Sequence, residues 1–460
     1  MIRLLHISLF QNCCAFSPNL SGTFSRFVLA TAKKYPFRAP CGRIFPDHAN
    51  PRRHTAKFLE WFATAIFASV ENVARGVLRW LCSIAFSLAC TPNSPAAEVE
   101  VAPMKGEQFV GVAGCKSSSC HGGAGEKRSQ YFTWLRQDFH TRSYAILTDA
   151  RSARIAETLG LGAAQQSSRC TVCHSPFQSL APARLMPTAH PDEGVSCESC
   201  HSAAESWLRG HTRKDWNYSM RVTAGMRDLR SFYVRANTCV ACHQNLDSDI
   251  IKAGHPELTF ELDGQSVAEP KHWRDEDPSS GLRAWLVGQA VALREMSWDL
   301  SKNEMPDAET TARWKGLAWL LAKTTAHQTN LPVIDPPGAT TNRASFTGAQ
   351  EQADLLARRA AESRLSDDFA MKALRALAST DSEFVVSKQA TPDLLFRRGQ
   401  RLVLALDRLS SAVNSEAPGT MKNPALNQLS EDVRSRADFH ASRFAEHLRS
   451  FRTTFDSSSP

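Results

Sequence analysis

Cys170-Thr-Val-Cys173-His174, Cys197-Glu-Ser-Cys200-His201 and Cys239-Val-Ala-Cys242-His243 repeat one pattern, C-x-x-C-H, three times. A fourth stretch, Cys115-Lys-Ser-Ser-Ser-Cys120-His121, carries four residues between its cysteines instead of two. The shorter spacing is the attachment signature of c-type haem. Two thiols at that separation reach the two vinyl groups of one porphyrin and become thioethers. The next residue then lies beneath the iron, and histidine supplies the proximal imidazole. Gly111, Gly114, Gly122 and Gly123 around the first motif allow the turns that its longer loop needs. The expected cofactor load is four covalently attached haems c, with His121, His174, His201 and His243 as proximal iron ligands.

The rival chemistries fit worse. Paired C-x-x-C elements also build zinc ribbons, but zinc needs no histidine directly after the second cysteine. Here it follows four times in four. With 15 histidines in 460 residues, that repetition has a chance of about one in a million. A disulfide framework has no use for the histidines either, and thioredoxin-like motifs come with a βαβ pattern that is absent.

Each iron needs a sixth ligand or an open position. Beyond the four proximal residues, eight histidines follow residue 97: His140, His190, His211, His255, His272, His327, His440 and His447. The last three lie on charged C-terminal helices and read as solvated surface groups. His140 lies in Tyr131–Leu147, which reads as one amphipathic helix with Tyr144 and Leu147 on its face. His211 follows Arg209-Gly210, and His255 sits in Ala253-Gly254-His255-Pro256, a pre-set turn suited to an axial ligand. His190 and His272 are weaker candidates. The second motif is poorest in distal ligands: Ser175-Pro176-Phe177 and a Pro/Ala-rich stretch follow it. Met186 is nearer but reads as packing. The expectation is one five-coordinate iron at His174, with His190 as the alternative sixth ligand.

From about Gly111 to about Phe260 the sequence resembles the tetrahaem cytochrome c-554 family. The resemblance rests on the four haem motifs in order, the Trp134…His140 element after the first, Gly194-Val-Ser-Cys-Glu-Ser-Cys-His201, and the Arg-Gly-His that ends at His211. It implies a mostly helical, loop-rich domain whose core is stacked haems. It further implies His211 distal to His121, His140 distal to His201, His255 distal to His243, and an open position at His174. Ser202-Ala203-Ala204 stands where the family has Gly-Pro-Gly. The spacing of the first motif and the separation of the fourth from its ligand also differ.

The N-terminal region is of another kind. Residues 1–97 hold 11 Lys and Arg against 3 Asp and Glu, leaving 43 of each in residues 98–460. The net charge of +8 therefore belongs to the leader, and a neutral body does not bind nucleic acid by neutralising phosphates. Arg75 and Arg79, the apolar run Trp80–Thr91 and Ser94-Pro95-Ala96-Ala97 form a secretory signal peptide, placing the mature protein in the periplasm. Residues 1–72 read as an over-long start. The apolar run is short for a bilayer span; a membrane-anchored form is the alternative. Cys90 after Ser87-Leu88-Ala89 makes a poor lipidation site.

After about residue 275 there are no cysteines. Leu282, Trp285, Leu286, Leu293, Met296 and Leu300 keep helical spacing. Pro306 suits the first turn of a second helix. Helical patterns then cover about 349–378, with Ser366 as an internal cap, 392–413 and 425–455. The predicted fold is mainly α: 1–97 targeting, 98–275 a loop-rich tetrahaem cytochrome c domain, 276–460 an all-α helical bundle. The expected function is electron transfer between a redox protein donor and an acceptor, since four haems on so short a chain must lie close. The alternative is a haem enzyme or gas-binding protein acting on nitric oxide, hydroxylamine or nitrite at the open haem. A third reading makes the helical half an anchoring subunit of a larger redox complex.

Overall fold

The computed structural model describes residues 108–273, 279–326, 328, 330–338, 340–414 and 423–457. The stretch expected to be a signal peptide, the residues read as an over-long start and His327 lie outside the described residues. Glu100–Pro460 forms one compact unit. The fold is mainly α, and the described residues contain helices, short 3-10 turns and an isolated parallel bridge between Phe109 and Leu185.

The first part of the unit is short helices strung between turns: α1 (Gln130–Gln137), α2 (Ser143–Ile146), α3 (Ala150–Thr158), α4 (Ser168–His174), α5 (Cys197–His201), α6 (Tyr218–Thr223), α7 (Phe232–His243), α8 (Ser248–Lys252) and α9 (Leu262–Ala268). Tyr131–Leu147 is not the single helix that its periodicity suggests. Asp138 takes an extended conformation, and its carboxylate accepts the His140 N–H at 2.8 Å. It thus ends α1 and caps a 3-10 turn over Phe139–Arg142, and His140 sits on that turn.

The second part is long helices: α10 (Ser280–Lys302), α11 (Ala308–Thr325), α12 (Arg343–Glu362), α13 (Asp367–Ala378), α14 (Pro392–Val413), α15 (Pro424–Asp432) and α16 (Ala441–Ser457). Their ends are set by caps. Asp307, Asn342, Ser366 and Thr391 each accept a backbone N–H of the first turn. Asp307 is the cap of α11, so Pro306 precedes the helix instead of opening it. The expected helix over 425–455 is two, because the chain turns back after Asp432. That buried carboxylate accepts from Arg443 Nε at 2.8 Å and His447 Nδ1 at 2.6 Å, fixing the reversal. His447 is therefore paired and half-buried instead of solvated. His440 is exposed.

α10 lies along α12, with α7 and α9 against it, and α14 packs on α11 and α13. One apolar core runs from Phe232, Ala236 and Val240 of α7 to Phe444, Leu448 and Phe451 of α16. The helix that ends in the fourth motif is thus rooted in the bundle. Arg294 of α10, almost fully buried, donates to Tyr233 Oη at 3.1 Å and Asp354 Oδ1 at 2.8 Å and also to Asn237, pinning α7 between α10 and α12.

Candidate functional site

Each proximal histidine faces a second histidine ring. The centroids of His121 and His211 are 6.1 Å apart, those of His174 and His255 6.3 Å, those of His201 and His272 6.2 Å, and those of His243 and His140 6.0 Å. A ligand nitrogen sits about 2 Å from a bound transition metal, and the ring centre lies about 1 Å behind it, so two imidazoles on one iron have centroids about 6 Å apart. All four pairs have the spacing of two axial ligands on one metal, and a cysteine pair precedes one member of each. The donor set fits haem c.

The rings are also oriented for it. A metal-binding histidine donates its other nitrogen's proton to an oxygen, which fixes the tautomer and leaves Nε2 for the metal. His121 Nδ1 is 3.0 Å from Gln130 Oε1, His174 Nδ1 is 3.1 Å from the Ser143 carbonyl, and His211 Nδ1 is 2.5 Å from the Leu208 carbonyl. His255 and His272 use the Pro256 and Pro270 carbonyls at 2.8 and 3.3 Å. His243 Nδ1 meets the Gln265 amide at 3.2 Å. That amide accepts the proton once its two ends are exchanged.

His140 is different: Asp138 Oδ1 at 3.0 Å and Glu269 Oε2 at 3.3 Å both meet its Nδ1. Hydrogen bonds to these two carboxylates push the imidazole up to about 10; with a metal bound, the same carboxylates would hold its Nδ1 proton and leave Nε2 as the ligand. Burial pushes His201 down to about 4 and lowers His174, His211 and His243, so these rings are neutral and ready to ligate near pH 7.

Residues 114–202 match the family model of cytochrome c554 and c-prime. The resemblance read from the sequence is shown for this segment, which holds the first three motifs and His140. No curated protein and no solved structure matches the chain. The fourth motif and His211, His255 and His272 lie beyond the cytochrome c554-type segment.

The ring pairs differ from those the resemblance implied. Only His121 with His211 coincides. His140 lies against His243, not His201, and His272 is the ring at His201. The expected open position at His174 faces His255. Gly254, at φ +114°, turns the chain, and its carbonyl accepts from the distant Arg151, through Nε and Nη2, at 3.2 and 2.7 Å. Arg169, beside Cys170, holds Asp247 and Asp249 at 2.7 Å each. These contacts bring the His255 turn back over α4. His190, the alternative ligand there, is exposed at the cap of a 3-10 turn over Pro191–Glu193. Met186 packs against the small cluster of Val110, Ala204 and Trp207.

The motifs also meet one another. The Cys115 thiol hydrogen-bonds that of Cys197, and Cys242 that of Cys173, contacts that raise Cys115 and Cys242 far above the usual thiol range. Arg227 Nη1 bridges the third and fourth motifs, reaching the Cys200 carbonyl at 3.1 Å and Thr238 Oγ1, beside Cys239, at 3.5 Å; burial pushes Cys200 up to about 12. The order of contact is first, third, fourth, second.

Sequence reasoning missed the residues that set this geometry. Glu198, inside the third motif and 1% exposed, accepts the N–H groups of Val110, Gly111 and Ala204 at 3.1, 2.7 and 2.6 Å. Arg227 Nη1 donates to the Ser199 and Cys200 carbonyls at 2.9 and 3.1 Å, covering the end of α5. Ser202, directly after His201, has φ +73° and ψ +167°, a region that only glycine enters without strain. The family's glycine at this place has its physical reason here. Ser202→Gly is expected to raise stability by about 1–3 kcal/mol, read as a higher denaturation midpoint with an unchanged visible spectrum. An unchanged midpoint would show that serine carries no strain.

Proposed function

We propose that the chain is an exported tetrahaem c-type cytochrome that passes electrons between a redox protein donor and an acceptor, with every iron held by two histidines. The observation that carries this reading is the four-fold pairing of a proximal with a second imidazole at 6.0–6.3 Å. Haem c, when attached, supplies a one-electron iron couple. The chain's own residues do the rest. The eight cysteines from Cys115 to Cys242 fix each porphyrin, and the Nδ1 acceptors hold each ring so that Nε2 points at the metal. Paired imidazoles exclude water and substrate from the iron, which suits a carrier better than an enzyme. Contacts between Cys115 and Cys197 and between Cys173 and Cys242, and the Arg227 bridge from Cys200 to Thr238, support close neighbouring centres.

Export is supported by the basic and apolar stretch of residues 73–97 and by a cysteine set consistent with attachment outside the cytoplasm. Among the described residues no helix is long and apolar enough to cross a membrane.

The purified protein is expected to hold four haems by pyridine haemochrome and mass, all low-spin by electron paramagnetic resonance. Zinc in place of the haem mass would overturn the cofactor; a high-spin signal from one haem in four would overturn the ligation and restore a substrate-binding reading.

A further inference from the structure

Residues 255–272 serve three of the four candidate sites. His255 faces His174, and His272 faces His201. Between them Gln265 meets His243, and Glu269 meets His140. Short segments that present several ligands need an external frame, because loop entropy otherwise spreads them.

That frame is the helical half. Phe260 and Leu262 are fully buried. Leu262 presses on α10 at Gly288, where an added Cβ would lie 2.8 Å from the Leu262 Cβ and 3.0 Å from its nitrogen. Glu257, two residues after His255, receives Arg397 Nη1 of α14 at 3.0 and 3.1 Å, and Arg313 of α11 at 3.4 Å. Glu261 receives Arg401 Nη1 at 3.1 Å. Arg401 also reaches Gln289 Oε1 of α10 at 3.4 Å. Arg397 and Arg401 are one helical turn apart and project from the same face of α14. Buried ion pairs add little net stability compared with apolar packing; they are suited to fixing register.

We propose that Arg397 and Arg401 are positioning residues: through Glu257 and Glu261 they set the register of residues 255–272, and so place His255 and His272 opposite His174 and His201. This rests on the bis-histidine reading above. It gives the helical half a task beyond rooting α7: holding the turns that carry two axial ligands.

The test uses the full holo-protein. In Arg397→Gln/Arg401→Met the reduced protein is expected to gain carbon monoxide binding, from none towards one or two equivalents per chain. Added imidazole should return the high-spin fraction to low spin. Arg397→Lys/Arg401→Lys, which keeps both charges, should bind much less. Arg452→Gln, which removes a different bundle ion pair with Asp381, should bind none. Gly288→Val should act like the double variant by displacing Leu262 without touching a charge.

A double variant that loads four haems, keeps its helical circular dichroism and stays wholly low-spin would overturn the proposal. If it does not fold, hydrogen exchange on the wild type decides. The hydrogen-bonded amides 265–268 of α9 should be protected along with those of α14, and fast exchange there would overturn it. His255→Ala separates the two levels. If it opens a site and the arginine variants do not, only the positioning role fails; if it opens none, the ligation itself fails.

Discussion

Reduced protein carrying His255→Ala should bind one equivalent of carbon monoxide per chain where the wild type binds none, with one of its four haems turned high-spin. The effect is all-or-none because His255 is the ring opposite His174 at axial spacing. A haem iron that loses one of two imidazoles accepts a small diatomic ligand in its place. The fold should survive, since the His255 ring bonds only its neighbour's carbonyl, at Pro256, while the turn itself is held by Arg151 on Gly254. His190→Ala is the matched control and should leave every haem low-spin. Equal carbon monoxide uptake by His190→Ala and His255→Ala would refute the pairing.

Glu198→Ala should be the most damaging single change in the cytochrome half. One side chain there satisfies three backbone N–H groups, two in the strand-like segment before the first motif and one after the third. Truncation leaves all three donors buried. An unsatisfied buried donor costs about 1–3 kcal/mol, and for three coupled donors the loss is on the order of 3–6 kcal/mol. Burial raises the Glu198 carboxyl, and the three N–H groups oppose that rise. Glu198→Gln should recover only part of the loss, since its amide nitrogen cannot accept from Gly111. Denaturation midpoints of the three proteins, at equal haem load, check this. Wild-type stability for the alanine variant would mean that the three N–H groups find other acceptors.

The sequence made the cytochrome motifs legible because covalent haem attachment is a local demand: two thiols and an imidazole within a few residues. Distal ligands obey no local rule. His174 finds its partner at His255 and His201 at His272, while His243 turns back to His140. Spacing along the chain says nothing about which turn closes over which motif; that depends on Arg151 and the Gly254 carbonyl, and on Arg169 and the two aspartates it holds. At His140 a local clue was present. Asp138 two residues before it is a capping residue, and the apolar period that suggested one helix hid it. In the bundle, periodicity located the helices, most of which bury one face, although Ala284–Arg294 of α10 is buried on every side; the caps at Ser366 and Thr391 set the ends of two of them. The reversal after Asp432 was hidden because its cause is a long-range pair with Arg443 and His447.

The order in which the motifs touch has a consequence for how such a protein comes to completion. The first and second motifs, made earliest, stand at the two ends of the contact sequence, and the third and fourth lie between them. A chain stopped after the third motif would join two centres and strand the other. On the electron-carrier reading, if haems are added as the polypeptide emerges, conduction across the whole molecule would wait for its last cysteine pair. A single late defect at Cys239 or Cys242 would then leave most of the pigment in place and still divide the molecule into two disconnected parts.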